Sequence, residues 1–260
     1  MRLNTAAATG FLLCMLALFY GVATNGGLGA IVNLLHFPSA VITFGGAIFA
    51  VLMTADSFGE FGECLKSFGT AFLQPRMEAE ESSERVLVLA DLARKEGLLA
   101  LEEQAEETED AFLKKGIMLV VDGTAPELVR DILESEMLHR ETNGRRYVKF
   151  WQDLGGFGPA WGMIGTLLGL INMMRSMGND PGAVGEGMSL ALITTLYGSI
   201  LANWVCIPAS RKLEKYYAKE LLHMEICVEG ILSIQAGENP RVIREKLNSV
   251  IELRREEEAA

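Results

Sequence analysis

The stretch GMIGTLLGLI, residues 162–171, sets three glycines and one threonine into an otherwise apolar segment. On a helix turning about 100° per residue, Gly162, Gly165, Thr166, Gly169 and Met173 share one narrow face. The apolar segment 187–210 behaves alike: Ala191, Thr195, Gly198, Ser199 and Ala202 lie opposite Leu190, Ile193, Tyr197, Leu201 and Trp204, and Thr194 adjoins the small face. Each helix therefore has a slim, hydroxyl-bearing side and a bulky side. Hydroxyl oxygens on neighbouring helices suit a hard cation or a file of water, so Thr166, Thr194 and Thr195 are read as lining an ion pathway. Two ordinary uses compete. Small residues let helix backbones approach closely where lipid gives no hydrophobic drive, and Gly162, Gly165, Gly169, Ala191, Gly198 and Ala202 are read in that way. A membrane threonine can also return its hydrogen bond to the carbonyl one turn earlier.

Neither segment contains Asp, Glu, Lys, Arg or His at depth, and in the earlier apolar region only His36 qualifies, near a helix end. Carriers of protons and ions place an ionisable group within the membrane, where it is costly and functional. A pathway built from these threonines therefore needs a carboxylate from another chain.

The elements that position these faces follow from charge segregation. Half of the 260 residues are hydrophobic, yet 34 acidic and 23 basic side chains are present. After Arg2 no charged residue occurs before Asp56, and the blocks 154–174 and 187–210 are also charge-free. A bilayer crossing takes about 20 apolar residues, so the first region holds two spans, divided at the glycine-rich stretch Thr24 to Gly29, and the later blocks hold one each. The first span is read as a retained helix rather than a cleaved signal, because a second span follows it closely. Lys and Arg stay on the cytoplasmic side. The connections Thr24 to Phe37 and Arg175 to Glu186 hold almost none of them, which places residues 56–153 and 211–260, and both chain ends, on the cytoplasmic side.

The expected fold is an all-α integral membrane protein in four parts: transmembrane helices 1 and 2 in 1–55, a cytoplasmic helical domain in 56–153, transmembrane helices 3 and 4 in 154–210, and cytoplasmic C-terminal helices in 211–260. No strand pattern is evident. Within the cytoplasmic domain, Val86, Leu89, Leu92 and Ala93 recur at helical spacing up to Gly97. A second helix is expected over Glu106 to Val121, and a third from Pro126 onward. The fourth span should continue as a charged helix to Gly237, after which Asn239 and Pro240 start the last helix. Cys14, Cys64, Cys206 and Cys227 show no metal or redox spacing, and His36, His139 and His223 stand far apart in sequence, so neither enzymatic chemistry nor a bound metal or cofactor is expected. A net charge of -11 argues against nucleic acid as a partner.

The strings GPAWGMIGTLLGLINMM and GMSLALITTLYGSILANWVCIP resemble the third and fourth spans of the MotA/PomA flagellar stator subunits, and ARKEGLLALE resembles their cytoplasmic signature. The resemblance implies a motor subunit: a homo-oligomeric ring of five copies around two MotB/PomB-like B subunits, each with a single span bearing an aspartate and a peptidoglycan-binding domain. It implies a transported ion, Na+ or H+, and no other cofactor. Pro159 and Pro208 match the family's prolines at the cytoplasmic ends of these spans, although proline punctuates helices unaided. Arg94 and Glu102 match the charged pair that engages the rotor switch protein FliG, with Lys95 and Glu103 beside them; each alone is an ordinary solvated charge. Threonine at 166 and the string TTLYG resemble the sodium-driven branch, so sodium coupling is expected.

Three rival readings fit the sequence less well. An ExbB/TolQ-type energiser of outer-membrane processes has three spans, against the double span before Asp56. A self-contained channel or transporter would carry its own buried ionisable group. A passive scaffold has no need of matched threonine faces.

Overall fold

The computed structural model describes residues 2–74, 78–176 and 181–259, and these are 89% helical. Helices α1 (Thr5–Asn33), α2 (Phe37–Ala40), α3 (Gly46–Leu52) and α4 (Phe58–Lys66) lead to α5 (Ala79–Glu96), α6 (Leu101–Glu107) and α7 (Ala111–Val121). Then come α8 (Pro126–Ser176), α9 (Pro181–Ile200), α10 (Ile207–Gln235) and α11 (Pro240–Ala259). Two π-helical turns, Val41–Gly45 and Leu201–Cys206, interrupt otherwise continuous helices, as happens often at functional positions. A minimal antiparallel pairing of Arg2–Leu3 with Leu73–Gln74, absent from the sequence reading, is the one sheet among the described residues.

Three helical stretches are long and apolar enough to cross a membrane, Thr5–Thr24, Pro126–Arg175 and Val184–Gln235, and Phe37–Leu52 is apolar but shorter. At 1.5 Å per residue the shorter one rises about 24 Å, less than the full hydrocarbon thickness.

Several expected boundaries hold for physical reasons. Gly97 and Gly237 stop α5 and α10 at φ +89° and +70°, a region that residues with a Cβ avoid. Asn239 starts α11 by accepting the Arg241 amide at 3.1 Å, with Pro240 as the first helical residue. Two expectations need correction. The stretch Thr24 to Gly29 is not a break: α1 runs through it to Asn33, because apolar surroundings reward internal pairing of every amide more than glycine's lower propensity costs. The chain turns instead at Leu34 to His36, where the His36 ring accepts the Ser39 amide and caps α2. Nor is Glu106 to Val121 one helix. Asp110 Oδ1 accepts the amides of Phe112 and Leu113 at 3.0 and 3.3 Å, starting α7 afresh after α6 ends at Glu107. In the connection Arg175 to Glu186, residues 177–180 lie outside the described residues.

The described chain separates into two compact units. One comprises the described residues of 78–144 and 215–259, and the other those of 2–74 and 145–214. The first is built on a core in which Leu101, Leu113, Ile117, Leu133, Ile226, Ile243 and Leu247 are at most 1–2% exposed. The second holds the apolar helices. There Phe11 stacks on Trp204 at 4.8 Å between centroids, Trp204 Nε1 donates to the Phe11 carbonyl, and Trp151 Nε1 donates to Ser67 Oγ at 3.0 Å. Its outer surface carries Leu12, Leu13, Leu16, Met163, Leu167 and Leu192, each more than half exposed, as lipid or a second copy of the chain requires.

Candidate functional site

The seam between α8 and α9 is set by the absence of side chains. A Cβ at Gly162 would lie 2.8 Å from the Thr194 carbonyl oxygen, one at Gly169 would lie 2.6 Å from Gly187 O, and one at Gly198 would lie 2.6 Å from Gly158 O. At Gly165 the obstruction is the Thr194 side chain, 2.5 Å away. Backbones thus pass each other along Gly158, Gly162, Gly165 and Gly169 on one helix and Gly187, Ala191, Thr194 and Gly198 on the other. Ala202 is buried in the π turn beyond. The helical wheel put Thr195 on the packed face; the structure puts Thr194 there and leaves Thr195 exposed. The pair of faces differs by one register step, which pattern alone could not fix.

Thr194 is fully buried. Its hydroxyl returns to the carbonyls of Leu190 and Ala191, each at 3.0 Å, and its own carbonyl accepts the Thr43 hydroxyl at 3.3 Å from the first π turn. It therefore joins α9 to the Phe37–Leu52 stretch rather than offering an open oxygen. Thr166 and Thr195 meet differently, with their hydroxyl oxygens 2.6 Å apart. Thr166 Oγ1 also lies 3.0 Å from Gly162 O and 3.1 Å from Ala191 O, and Thr195 Oγ1 lies 3.2 Å from Ala191 O. Two hydroxyl protons face four such contacts, so each proton has more than one acceptor oxygen within reach. The stretches 154–174 and 187–210 that carry the pair contain no Asp, Glu, Lys, Arg or His.

Tyr197 donates to the Leu34 carbonyl, accepts the His36 amide and stacks on Phe44, which ties α9 to the turn before α2. Sequence reading assigned it only to the bulky face. Pro159 lies within α8 and is exposed; Pro208 lies in the first turn of α10, directly after the π turn Leu201–Cys206. The widened turn falls where proline's missing N–H leaves a carbonyl unpaired.

In the other unit, Arg94 and Lys95 occupy the last turn of α5, and Glu102 and Glu103 the first turn of α6, around the bend at Gly97. All four are exposed, and each sign suits the helix terminus it occupies. The same unit holds a polar cluster that sequence spacing hid. His223 Nε2 lies 2.6 Å from Asp110 Oδ2, its Nδ1 lies 2.6 Å from Ser82 Oγ, and Cys227 Sγ lies 3.7 Å from Nε2. Burial alone would raise the Asp110 carboxyl, but the His223 hydrogen bond and charge, with two amide donors, hold it below its usual range. The signal available in sequence was the four-residue spacing of His223 and Cys227 on one helix; Asp110 is 113 positions away.

Residues 104–226 match the MotA/TolQ/ExbB proton channel family. The chemotaxis protein PomA of Vibrio alginolyticus is 38% identical over 93% of this chain and 91% of its own length. This chain belongs to the MotA/TolQ/ExbB family. Within that family the full-length likeness runs to its motility members. The flagellar MotAB stator complex from Bacillus subtilis superposes with a TM-score of 0.80 and 30% identity, covering 92% of this chain and 93% of that one. The C. jejuni MotAB structure gives 0.83 and 25%, with 95% of each chain covered. The MotA branch of the family, rather than the ExbB/TolQ branch, is the one this chain joins.

Proposed function

We propose that this chain is the A subunit of a sodium-driven flagellar motor stator, working with a B subunit whose single span supplies the aspartate that the apolar stretches 154–174 and 187–210 lack. The observation that carries the reading is the Thr166–Thr195 pair, two hydroxyls 2.6 Å apart within the stretches 154–174 and 187–210, which contain no Asp, Glu, Lys, Arg or His. Sodium is a hard cation and takes hydroxyl and carbonyl oxygens of this kind. The chain itself has no enzymatic role in this reading.

In the proposed arrangement Phe37–Leu52 serves as the second of four spans, with α1, the later part of α8, and α9 continuing into α10 as the others. Residues 1–55 and 154–210 form the membrane part, and 56–153 and 211–260 lie in the cytoplasm of a bacterial inner-membrane protein with both ends inside. Five copies surround two B subunits anchored through a peptidoglycan-binding domain. Ion passage onto and off the B aspartate turns the ring, and Arg94, Lys95, Glu102 and Glu103 transmit the motion to FliG. Opposite charges on such a rim select and steer the partner more than they bind it.

The test is ion replacement. Rotation driven by the assembled complex should stop when sodium is exchanged for potassium at constant membrane potential. Rotation unchanged by that exchange removes sodium as the coupling ion and leaves a proton-conducting water file at the same threonines.

A further inference from the structure

Within the unit of residues 78–144 and 215–259, three chemically different ligand atoms converge. Asp110 Oδ2, His223 Nε2 and Cys227 Sγ lie within 4.8 Å of one another, and none of the three is among the residues assigned to the motor. His223 and Cys227 sit four apart on α10 and so share a face. Asp110 caps α7 with Oδ1, which directs its second oxygen at the imidazole.

The remaining contacts fix the imidazole's tautomer. Ser82 Oγ lies 2.6 Å from His223 Nδ1 and 3.0 Å from the Glu78 carbonyl oxygen. A carbonyl can only accept, so both contacts are served when Ser82 donates to Glu78 and accepts Nδ1–H. The other ring nitrogen, Nε2, faces the Asp110 carboxylate at 2.6 Å and the Cys227 sulfur at 3.7 Å. A carboxylate, an imidazole and a thiol that meet in this way are held either by protons or by a metal ion that replaces them. A proton on Nε2 serves the Asp110 contact but leaves the sulfur, 1% exposed, with the imidazole as its nearest polar neighbour. Glu220, one turn earlier on α10, has its Oε2 buried without a hydrogen-bond partner. A metal ion at this point takes Asp110 Oδ2, His223 Nε2 and Cys227 Sγ together.

We propose that Asp110, His223 and Cys227 form a binding site for a divalent transition-metal ion of the zinc type, with Glu220 as the available fourth donor and Ser82 as the residue that orients the imidazole. The donor set of thiolate, imidazole and carboxylate selects zinc or cobalt over calcium or magnesium. With metal–nitrogen and metal–sulfur bonds of about 2.0 and 2.3 Å in a tetrahedron, nitrogen and sulfur stand about 3.5 Å apart, close to the distance found here. The nitrogen–oxygen separation must open to about 3.3 Å, which a small turn of the Asp110 carboxylate accomplishes. His223 and Asp110 keep 15% and 13% side-chain exposure, so the cluster is not sealed from solvent. Coordination displaces the Cys227 proton to solvent and pins the start of α7 to α10. The proposal does not depend on the stator reading.

The full-length chain, purified in detergent and stripped with a chelator, is titrated with Co2+ alone and followed in the near-ultraviolet, where thiolate-to-cobalt charge transfer absorbs. The band should saturate at one ion per chain, persist in Cys14→Ser and vanish in Cys227→Ser. Ser82→Ala keeps every ligand and should weaken binding about 10- to 100-fold. As a readout that requires no variant, Zn2+ should raise the wild-type melting temperature with dose. Absence of the band in the wild type, its survival in Cys227→Ser, or a melting temperature unmoved by Zn2+ overturns the proposal.

Discussion

Replacing Gly169 with alanine separates seam packing from helix propensity. The added Cβ would lie 2.6 Å from Gly187 O, 2.8 Å from the Ala191 amide nitrogen and 3.0 Å from Ala191 Cβ. Two of these obstacles are backbone atoms and cannot rotate away, so restoring ordinary contact at 3.4 Å pushes α9 outward by several tenths of an ångström. Overpacking of this kind costs about 1–3 kcal/mol, with rigid obstacles at the upper end. Alanine returns about 1 kcal/mol through helix propensity. The net loss is about 1–2 kcal/mol. Gly156 supplies the control, since a Cβ there meets nothing within 4 Å and its replacement by alanine should gain up to about 1 kcal/mol. The two variants should therefore melt about 4 to 10 °C apart in detergent, read by tryptophan fluorescence. Equal melting temperatures would refute the claim that bare backbones define this seam.

Thr195→Val preserves shape and removes the exposed oxygen, so ion-driven rotation should fall while ring assembly, measured by size, is unchanged; full torque would take Thr195 out of the pathway. Arg94→Glu should impair rotor coupling and leave ion flux intact, and an equal fall in flux would contradict the assignment. Leu133→Ala empties a fully buried core position and should cost about 2–5 kcal/mol of stability in chemical denaturation. Asn239→Ala removes the α11 cap and should cost about 1 kcal/mol, seen as faster amide exchange at Arg241 to Ile243.

Much of the architecture was legible because punctuation in this chain is written in residues with few alternatives. A glycine at positive φ ends α5 and α10, and an asparagine followed by proline opens α11, since few other residues fit those backbones. Glycine misleads where apolar surroundings protect a helix, and α1 therefore runs through Gly26 and Gly27. The small-residue faces were visible in sequence, but a rotation of one residue decides whether Thr194 or Thr195 occupies the seam. That rotation is fixed by Gly165 against the Thr194 side chain and by Thr43 on the Thr194 carbonyl, contacts that periodicity does not encode. The π turns had no usable signal beyond Pro208. The Ser82, Asp110 and His223 cluster joins three helices across more than a hundred positions, and only the fold assembles it.

The central claim is that this chain lines an ion path and borrows the acid that makes the path work. Sodium flux into liposomes tests it most directly, comparing the chain alone with the chain reconstituted beside a single-span partner bearing a membrane aspartate. The account predicts flux for the pair, none for the chain alone, and none when the partner's aspartate is replaced by asparagine. Sodium conductance by the chain alone would contradict it.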